Sequence, residues 1–423
     1  MKWTRRDLLK AALALPAGSW LARYEALAAP LKNEVKITDI KAMQLRHNGG
    51  DCLVKIETDA GLVGYGEAGC TGPMARGRLA TMRRFLIGQD PLEIERHFHN
   101  MTSLTHTYIA HIPTISGIDI ALWDLAGKII GLPVSKLMGG PFRDKVRLYT
   151  DDQPKDFLDK AVVRDFAQKN KAHPYGWKIV KVMFHHALID AERRRPQGGR
   201  TLNTLRHSML TSAEIKRIGQ GFASLREAFG EEMDIVVHCL NEYDLPSAVG
   251  IAQATAPMRP LWFEDPLPAP YSESWLALKR QSPVKILTGE KLEMPKQFLP
   301  FLQNEALDII QPDLAYAGGI TGCRKIADLA ALYQVPMNLH NYGTLVLAMA
   351  SVHFAASVFD FFALECFFGK PKMEDQMVEP MAASKLPAIA DSHVEVPKTP
   401  GLSFELNEDA LRGDLAPGET WWG

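Results

Sequence analysis

The strongest constraint on this chain is a register of short apolar runs, each stopping at an ionisable residue, with helix-like sequence between them. Leu261, Trp262 and Phe263 lead into Glu264, Asp265 and Pro266. Ile235, Val236 and Val237 end at His238, and Val284 to Thr288 ends at Gly289 and Glu290, so His238, Glu264 and Glu290 stand at equal intervals of 26 residues. Asp308 to Gln311 then ends at Pro312 and Asp313, and Val335 to Leu339 ends at His340. An apolar run closed by a polar residue reads as a buried strand that delivers a side chain into a loop. In a parallel barrel such closing residues converge on the C-terminal face, where active sites are built. One ionisable residue after one strand carries little weight, but five in register make a candidate site.

The rest of the chain frames that register. Residues 1–29 read as an address rather than as fold: Thr4-Arg5-Arg6-Asp7-Leu8-Leu9-Lys10 is a twin-arginine pattern, with an apolar stretch and small residues at Ala26-Leu27-Ala28 for cleavage. The alternative is an ordinary amphipathic helix. Export of an already folded protein to the periplasm is the expectation, and the apolar stretch is too short to span a membrane. Val35–Leu45, Cys52–Thr58 and Leu62–Gly66 read as a three-stranded meander, turned at Asp59-Ala60-Gly61. Two loops, 46–51 and 67–76, separate or follow these strands. Ile118, Ala121, Leu122 and Leu125 then recur at helical spacing, and Gly131-Leu132-Pro133 ends that helix. Residues 30–145 are thus read as a small α+β domain, 146–385 as the barrel, and 386–423 as a Pro-containing segment returning to the small domain.

A formal net charge of -1 gives no electrostatic reason to expect nucleic acid or an anionic membrane as partner. Five scattered cysteines without CxxC spacing suggest neither a zinc knuckle nor a disulfide framework.

Several motifs then stand together: Gly-Ile-Asp-Ile-Ala-Leu-Trp-Asp-Leu-Ala-Gly-Lys at 117–128, Leu-Met-Gly-Gly at 137–140, Trp-Phe-Glu-Asp-Pro at 262–266, Thr-Gly-Glu at 288–290, Gln-Pro-Asp at 311–313, Gly-Gly-Ile-Thr at 318–321, and His340. On these residues the chain resembles the enolase superfamily, in its mandelate racemase-like group. The resemblance implies a (β/α)7β TIM-like barrel with an N-terminal α+β capping domain whose loops shape the substrate pocket. It also implies a homo-oligomer and a divalent cation, ordinarily Mg²⁺, held by acids closing the third, fourth and fifth strands. Glu264 and Glu290 match the last two of these. His238 stands where the first, an aspartate, is expected, with Asn241, Glu242 and Asp244 as alternative oxygen donors. A His–Glu–Glu set carries one negative charge fewer and shifts preference towards Mn²⁺, Fe²⁺ or Zn²⁺.

Asp313 and His340 match the Asp–His dyad of the group, in which the carboxylate orients an imidazole that exchanges protons. Glu365 matches the position that hydrogen-bonds the substrate carboxylate or its enolate, with a buried ion pair to Lys181 as the rival reading. The family's Lys-x-Lys on the second strand reads Lys181-Val182-Met183 here, so the second lysine is missing. Inversion at a carbon needs a base on each face. Its loss favours one-sided elimination, the dehydration of an acid sugar, over a racemase or epimerase. A third reading is an inactive binding relative. The segment 184–211, with His185, His186 and Arg193-Arg194-Arg195, reads as an insertion after the second strand, and the remaining histidines as structural or surface residues.

Overall fold

A computed structural model describes residues 35–46, 52–103, 110–189, 209–366 and 381–422. The expected twin-arginine leader, His47, and residues 190–208 of the expected insertion with its three arginines lie outside the described residues.

Strands β1 (Ile37–Gln44), β2 (Cys52–Thr58) and β3 (Val63–Ala68) form an antiparallel sheet in that order. Gly61 supplies the positive φ of +74° at the second turn. β3 continues beyond Gly66, where the sequence had suggested that a loop begins at Glu67. The extension is held from outside the strand, because Glu67 is fully buried and hydrogen-bonded to the barrel. Helix Ile112–Ile130 lies across the sheet. A Cβ on Gly64 would sit 2.2 Å from the Ala121 carbonyl oxygen, and one on Gly66 would sit 2.0 Å from that of Gly117. Only glycine allows that approach of backbone to backbone. The other side of the helix meets the barrel. The Trp123 indole donates to Thr321 Oγ1 at 2.9 Å, and Asp119 Oδ2 accepts from the Thr321 amide at 2.9 Å.

Eight parallel strands follow: β4 (Lys145–Asp151), β5 (Ile179–Met183), β6 (Asp234–His238), β7 (Phe263–Glu264), β8 (Ile286–Thr288), β9 (Ile309–Ile310), β10 (Met337–Leu339) and β11 (Phe361–Cys366). They neighbour one another in chain order, and β11 pairs with β4 to close the ring. Helices lie between successive strands, giving the expected (β/α)7β barrel beneath a capping sheet. Tyr149, Ile179, Val236, Trp262, Leu287, Ile309 and Ala363 fill one layer of its interior.

The C-terminal stretch first adds a hairpin, β12 (Ile389–Ala390) and β13 (His393–Glu395), with β13 antiparallel to β4. It then crosses back to the sheet, where the Arg46 amide donates to the Asp414 carbonyl at 2.8 Å and Arg76 pairs with Glu419. Trp422 packs at 6.0 Å from the Tyr65 ring. All five cysteines are free thiols. No helix among the described residues is long and apolar enough to cross a membrane.

Candidate active site at the barrel mouth

Strand side chains alternate, so the residues two places beyond the apolar layer form the next layer towards the C-terminal face. Two beyond Ile179, Val236, Trp262, Ile309 and Ala363 come Lys181, His238, Glu264, Gln311 and Glu365. Register pairing brings His238 level with Glu264 and with Met183. Two beyond Leu287 comes Gly289, where a Cβ would lie 2.8 Å from the Gln311 backbone. Glycine at this point lets the chain turn tightly and deliver Glu290 to the mouth. All seven residues singled out in the sequence, His238, Glu264, Glu290, Lys181, Glu365, Asp313 and His340, meet here, linked by the contacts that follow.

Lys181 is the centre of the charge network. Its ammonium lies 2.9 Å from Glu264 Oε1 and 2.8 Å from Glu365 Oε1, with the side chain 1 % exposed. Burial opposes its charge, but the two glutamates outweigh burial and hold its pKa well above the ordinary lysine value. Lys181 thus stands as the shared counter-charge of Glu264 and Glu365. The pairing with Glu365 proposed as the rival reading is present, yet it engages one oxygen only. Glu365 Oε2 carries no hydrogen bond among the described residues and lies 3.6 Å from His340 Nε2.

The dyad is formed in a different way. The loops after β9 and β10 touch through a bridge between Asp313 and His340, and His340 Nδ1 donates to Asp313 Oδ2 at 2.6 Å. Asp313 Oδ1 is occupied by the Ala315 amide at 2.7 Å. The carboxylate is thereby fixed, and the imidazole presents Nε2 to the mouth, 3.5 Å from Glu290 Oε2. Burial would lower the His340 pKa, but Glu290, Glu365 and the bond to Asp313 together raise it to about 10. In the free site the ring is an imidazolium.

The cation-binding side shows unmet demand. Both His238 nitrogens, Glu290 Oε2 and Asp265 Oδ2 are buried without hydrogen bonds among the described residues. Buried polar atoms are nearly always satisfied, so a cluster of orphans aimed at one point signals a missing partner. Burial, followed by the charge of Lys181, holds His238 well below the ordinary histidine range, leaving a neutral ring able to coordinate. Ligand atoms of His238, Asp265 and Glu290 lie within 4.8 Å of one another. The residues therefore fit a divalent cation.

Glu264 stands differently from the other carboxylates in this group. Oε1 accepts from Lys181, Oε2 accepts from the Trp262 indole at 2.9 Å, and Oε1 still lies 3.8 Å from His238 Nε2. Two of the three alternative donors near His238 are engaged elsewhere. Asn241 Oδ1 accepts from Lys291 at 2.8 Å, and Asp244 caps helix Leu245–Thr255.

Asp265 was not singled out in the sequence. Its φ of +50° turns it away from the strand, Thr288 Oγ1 donates to Oδ1 at 2.6 Å, and Oδ2 is left facing the mouth. Burial foremost, then Glu290, pushes its pKa to about 8. The signal that could have found it was present in Glu-Asp-Pro, where two successive acids close one strand.

Residues 165–410 match the Enolase C-terminal domain-like family, and residues 34–139 match the Mandelate racemase / muconate lactonizing enzyme, N-terminal domain. A D-xylonate dehydratase of Haloferax volcanii is 31% identical over 395 residues, covering 92% of this chain and 90% of the relative. A D-galactonate dehydratase of Pectobacterium atrosepticum is 30% identical over 396 residues, covering 89% of this chain and 94% of the relative. The crystal structure of a mandelate racemase/muconate lactonizing enzyme-like protein from Rubrobacter xylanophilus superposes with a TM-score of 0.81 at 26% identity, over 92% of this chain and 100% of that one. Cap, barrel and mouth are all spanned by these likenesses, and the chain belongs to the mandelate racemase/muconate lactonizing enzyme group of the enolase superfamily.

Proposed function

We propose that this chain is an acid-sugar dehydratase: a hydro-lyase that removes the proton α to a carboxylate and expels the β-hydroxyl as water, leaving a 2-keto-3-deoxy acid. The dehydratase relatives, each spanning most of the chain, support the reaction class. One structural observation carries the choice of elimination over inversion. The dyad supplies a proton-transfer group, while Lys181 is fixed as a cation between Glu264 and Glu365 and its second-strand companion is Met183.

A divalent cation, held by His238, Glu290 and a carboxylate of Glu264 or Asp265, would supply positive charge for the substrate carboxylate and for the enolate that develops from it. Mg²⁺ is the ordinary ion for such a site, and the neutral His238 favours Mn²⁺ as a competitor.

The chain's own residues do the rest. His340 Nε2 takes the α-proton while Asp313 holds the ring and offsets its new charge. Glu290 and Glu365 hold the free ring protonated, so engaging those carboxylates weakens their pull and frees the imidazole to accept. The same imidazolium then returns its proton to the departing hydroxyl, and the enol left behind tautomerises to the ketone. Glu365 Oε2 is placed to hydrogen-bond a substrate oxygen, and Lys181 keeps the other half of that carboxylate fixed. The twin-arginine leader supports export, which would place this reaction in the periplasm.

The test is incubation of pooled five- and six-carbon aldonic acids in D₂O with Mg²⁺, Mn²⁺ or chelator, read by mass spectrometry. Metal-dependent loss of water is expected, with His340→Asn reducing it by roughly a thousandfold or more. Deuterium gain without water loss would replace the dehydratase with an epimerase. Saturable binding with neither signal would make the chain a binding relative.

A further inference from the structure

The capping sheet sends one carboxylate into the barrel. Glu67, near the end of β3, is fully buried and saturated by donors from the segment that follows His340. The Thr344 amide donates to Oε1 at 2.8 Å and to Oε2 at 3.0 Å, and the Leu347 amide donates to Oε2 at 3.1 Å. The Thr344 hydroxyl donates to Oε2 as well. These are the first amides of helix Leu345–Ser357, whose partial positive end favours an anion.

The fit is close on both sides. A Cβ on Gly343 would lie 2.5 Å from Glu67 Oε1, and a Cβ on Gly69 would lie 2.4 Å from the Tyr316 ring. The end of β3 therefore sits between the loop that carries Asp313 and Tyr316 and the loop that carries His340 and Thr344. Only Asn341, Tyr342 and Gly343 separate His340 from Thr344, and Asn341 is tied to the Glu365 carbonyl at 3.3 Å.

We propose that Glu67 is a positioning residue for the Asp313–His340 dyad, through which the capping domain sets the placement of the His340 ring. Glu67 touches neither substrate nor ring. It fixes the helix start that anchors the His340 loop, and a dyad working at 2.6 Å does not tolerate a loop displaced by a fraction of an ångström. Burial foremost raises the Glu67 pKa to about 7 against the pull of the Thr344 and Leu347 donors.

The role rests on the assignment of His340 as the proton-transfer group, so the test reads His340 itself as well as turnover. Wild type, Glu67→Gln, Glu67→Asp and Thr344→Val are compared as full chains. The rate at which diethyl pyrocarbonate modifies His340, resolved by peptide mass spectrometry across pH, reports the ring's environment whether or not a substrate is known. Glu67→Gln turns an amide NH₂ towards backbone donors and is expected to shift the His340 modification profile. It should also lower kcat by about tenfold to a hundredfold with KM within about threefold. Thr344→Val, a smaller disturbance of the same contact, should move both readouts in the same direction, and Glu67→Asp should recover part of each. Folded variants with lowered melting temperature but wild-type His340 profiles would make Glu67 a structural tie only and overturn the proposal. A shifted His340 profile in a protein that turns over no acid sugar would sustain the positioning role and sink the dehydratase reading instead.

Discussion

Two buried sets of charges in this molecule look alike in burial and differ in satisfaction. At the joint where the cap meets the barrel and the C-terminal segment, Asp124 and Glu67 have donors on both oxygens. Asp124 accepts from the Leu402 amide at 2.8 Å, the Tyr65 amide at 2.9 Å and the Lys128 ammonium at 2.6 Å. Glu67 is saturated in the same way by Thr344 and Leu347. At the barrel mouth, Glu290, Glu365, Asp265 and His238 each keep at least one buried atom without a hydrogen bond among the described residues. The difference is one of demand: Asp124 and Glu67 are complete, Asp119 keeps one bare oxygen among the described residues, and the mouth holds a whole cluster of such atoms aimed at one space. Burial of charge alone would not have separated a structural tie from a site.

The largest effect should come from breaking the mouth's fixed cation. Lys181→Met leaves Glu264 and Glu365 buried without their counter-charge, and removing one partner of such a set costs about 3–5 kcal/mol. Urea denaturation at neutral pH measures it. A loss under about 1 kcal/mol would mean that water or rearrangement satisfies the two glutamates, and that the mouth is less strained than its geometry implies.

A second effect reads the joint by pH. At the joint, burial foremost pushes Asp119 up to about 7, against the donors of Thr321 and Ile320. A carboxyl with a raised folded pKa keeps a proton that the unfolded chain has released. Its contribution is full below the ordinary value of 3.8 and is lost as pH rises towards 7. Stability should therefore fall across that window by on the order of a few kcal/mol from this residue. In Asp119→Asn the slope of urea midpoint against pH should flatten. An unchanged slope would show that Asp119 stays ionised and that the joint is better solvated electrostatically than its burial suggests.

The smallest effect tests completeness at the joint. Asp124→Asn keeps shape but turns an NH₂ towards the Leu402 amide or towards the Tyr65 and Lys128 donors, for an expected loss of about 1–3 kcal/mol. Turnover per folded molecule should stay near wild type, since Asp124 lies away from the mouth. A variant as stable as wild type would erase the distinction drawn between saturated and unsaturated carboxylates.

Much of the site was legible because strands impose a simple rule. Side chains two residues apart share a face, so an apolar run closing on an acid or histidine declares both a strand and the end it presents. That rule picked out His238, Glu264, Glu290, Asp313 and His340 without contacts, and the family resemblance added Glu365 and Lys181. Applied to the small domain it would also have found Glu67, which closes Val63-Gly64-Tyr65-Gly66, but that strand reads as ending at Gly66, with Glu67 opening a loop. The two glycines let helix Ile112–Ile130 lie against the strand. Asp265 escaped for another reason: its left-handed φ swings the side chain to a face that alternation does not assign to it.

By itself, then, the sequence determined the strand–helix alternation, the capping meander and the ionisable groups that close five of the strands, because these follow from local periodicity and strand ends. Lys181 and Glu365 were legible only through the family resemblance. The tertiary structure alone decided which of those groups are already occupied. Lys181 is neutralised by Glu264 and Glu365 from strands β7 and β11, and the His340 loop is anchored by a carboxylate 277 positions earlier in the chain. Such pairings depend on distances set by barrel closure and by the seating of the cap, and no local pattern of residues encodes those distances.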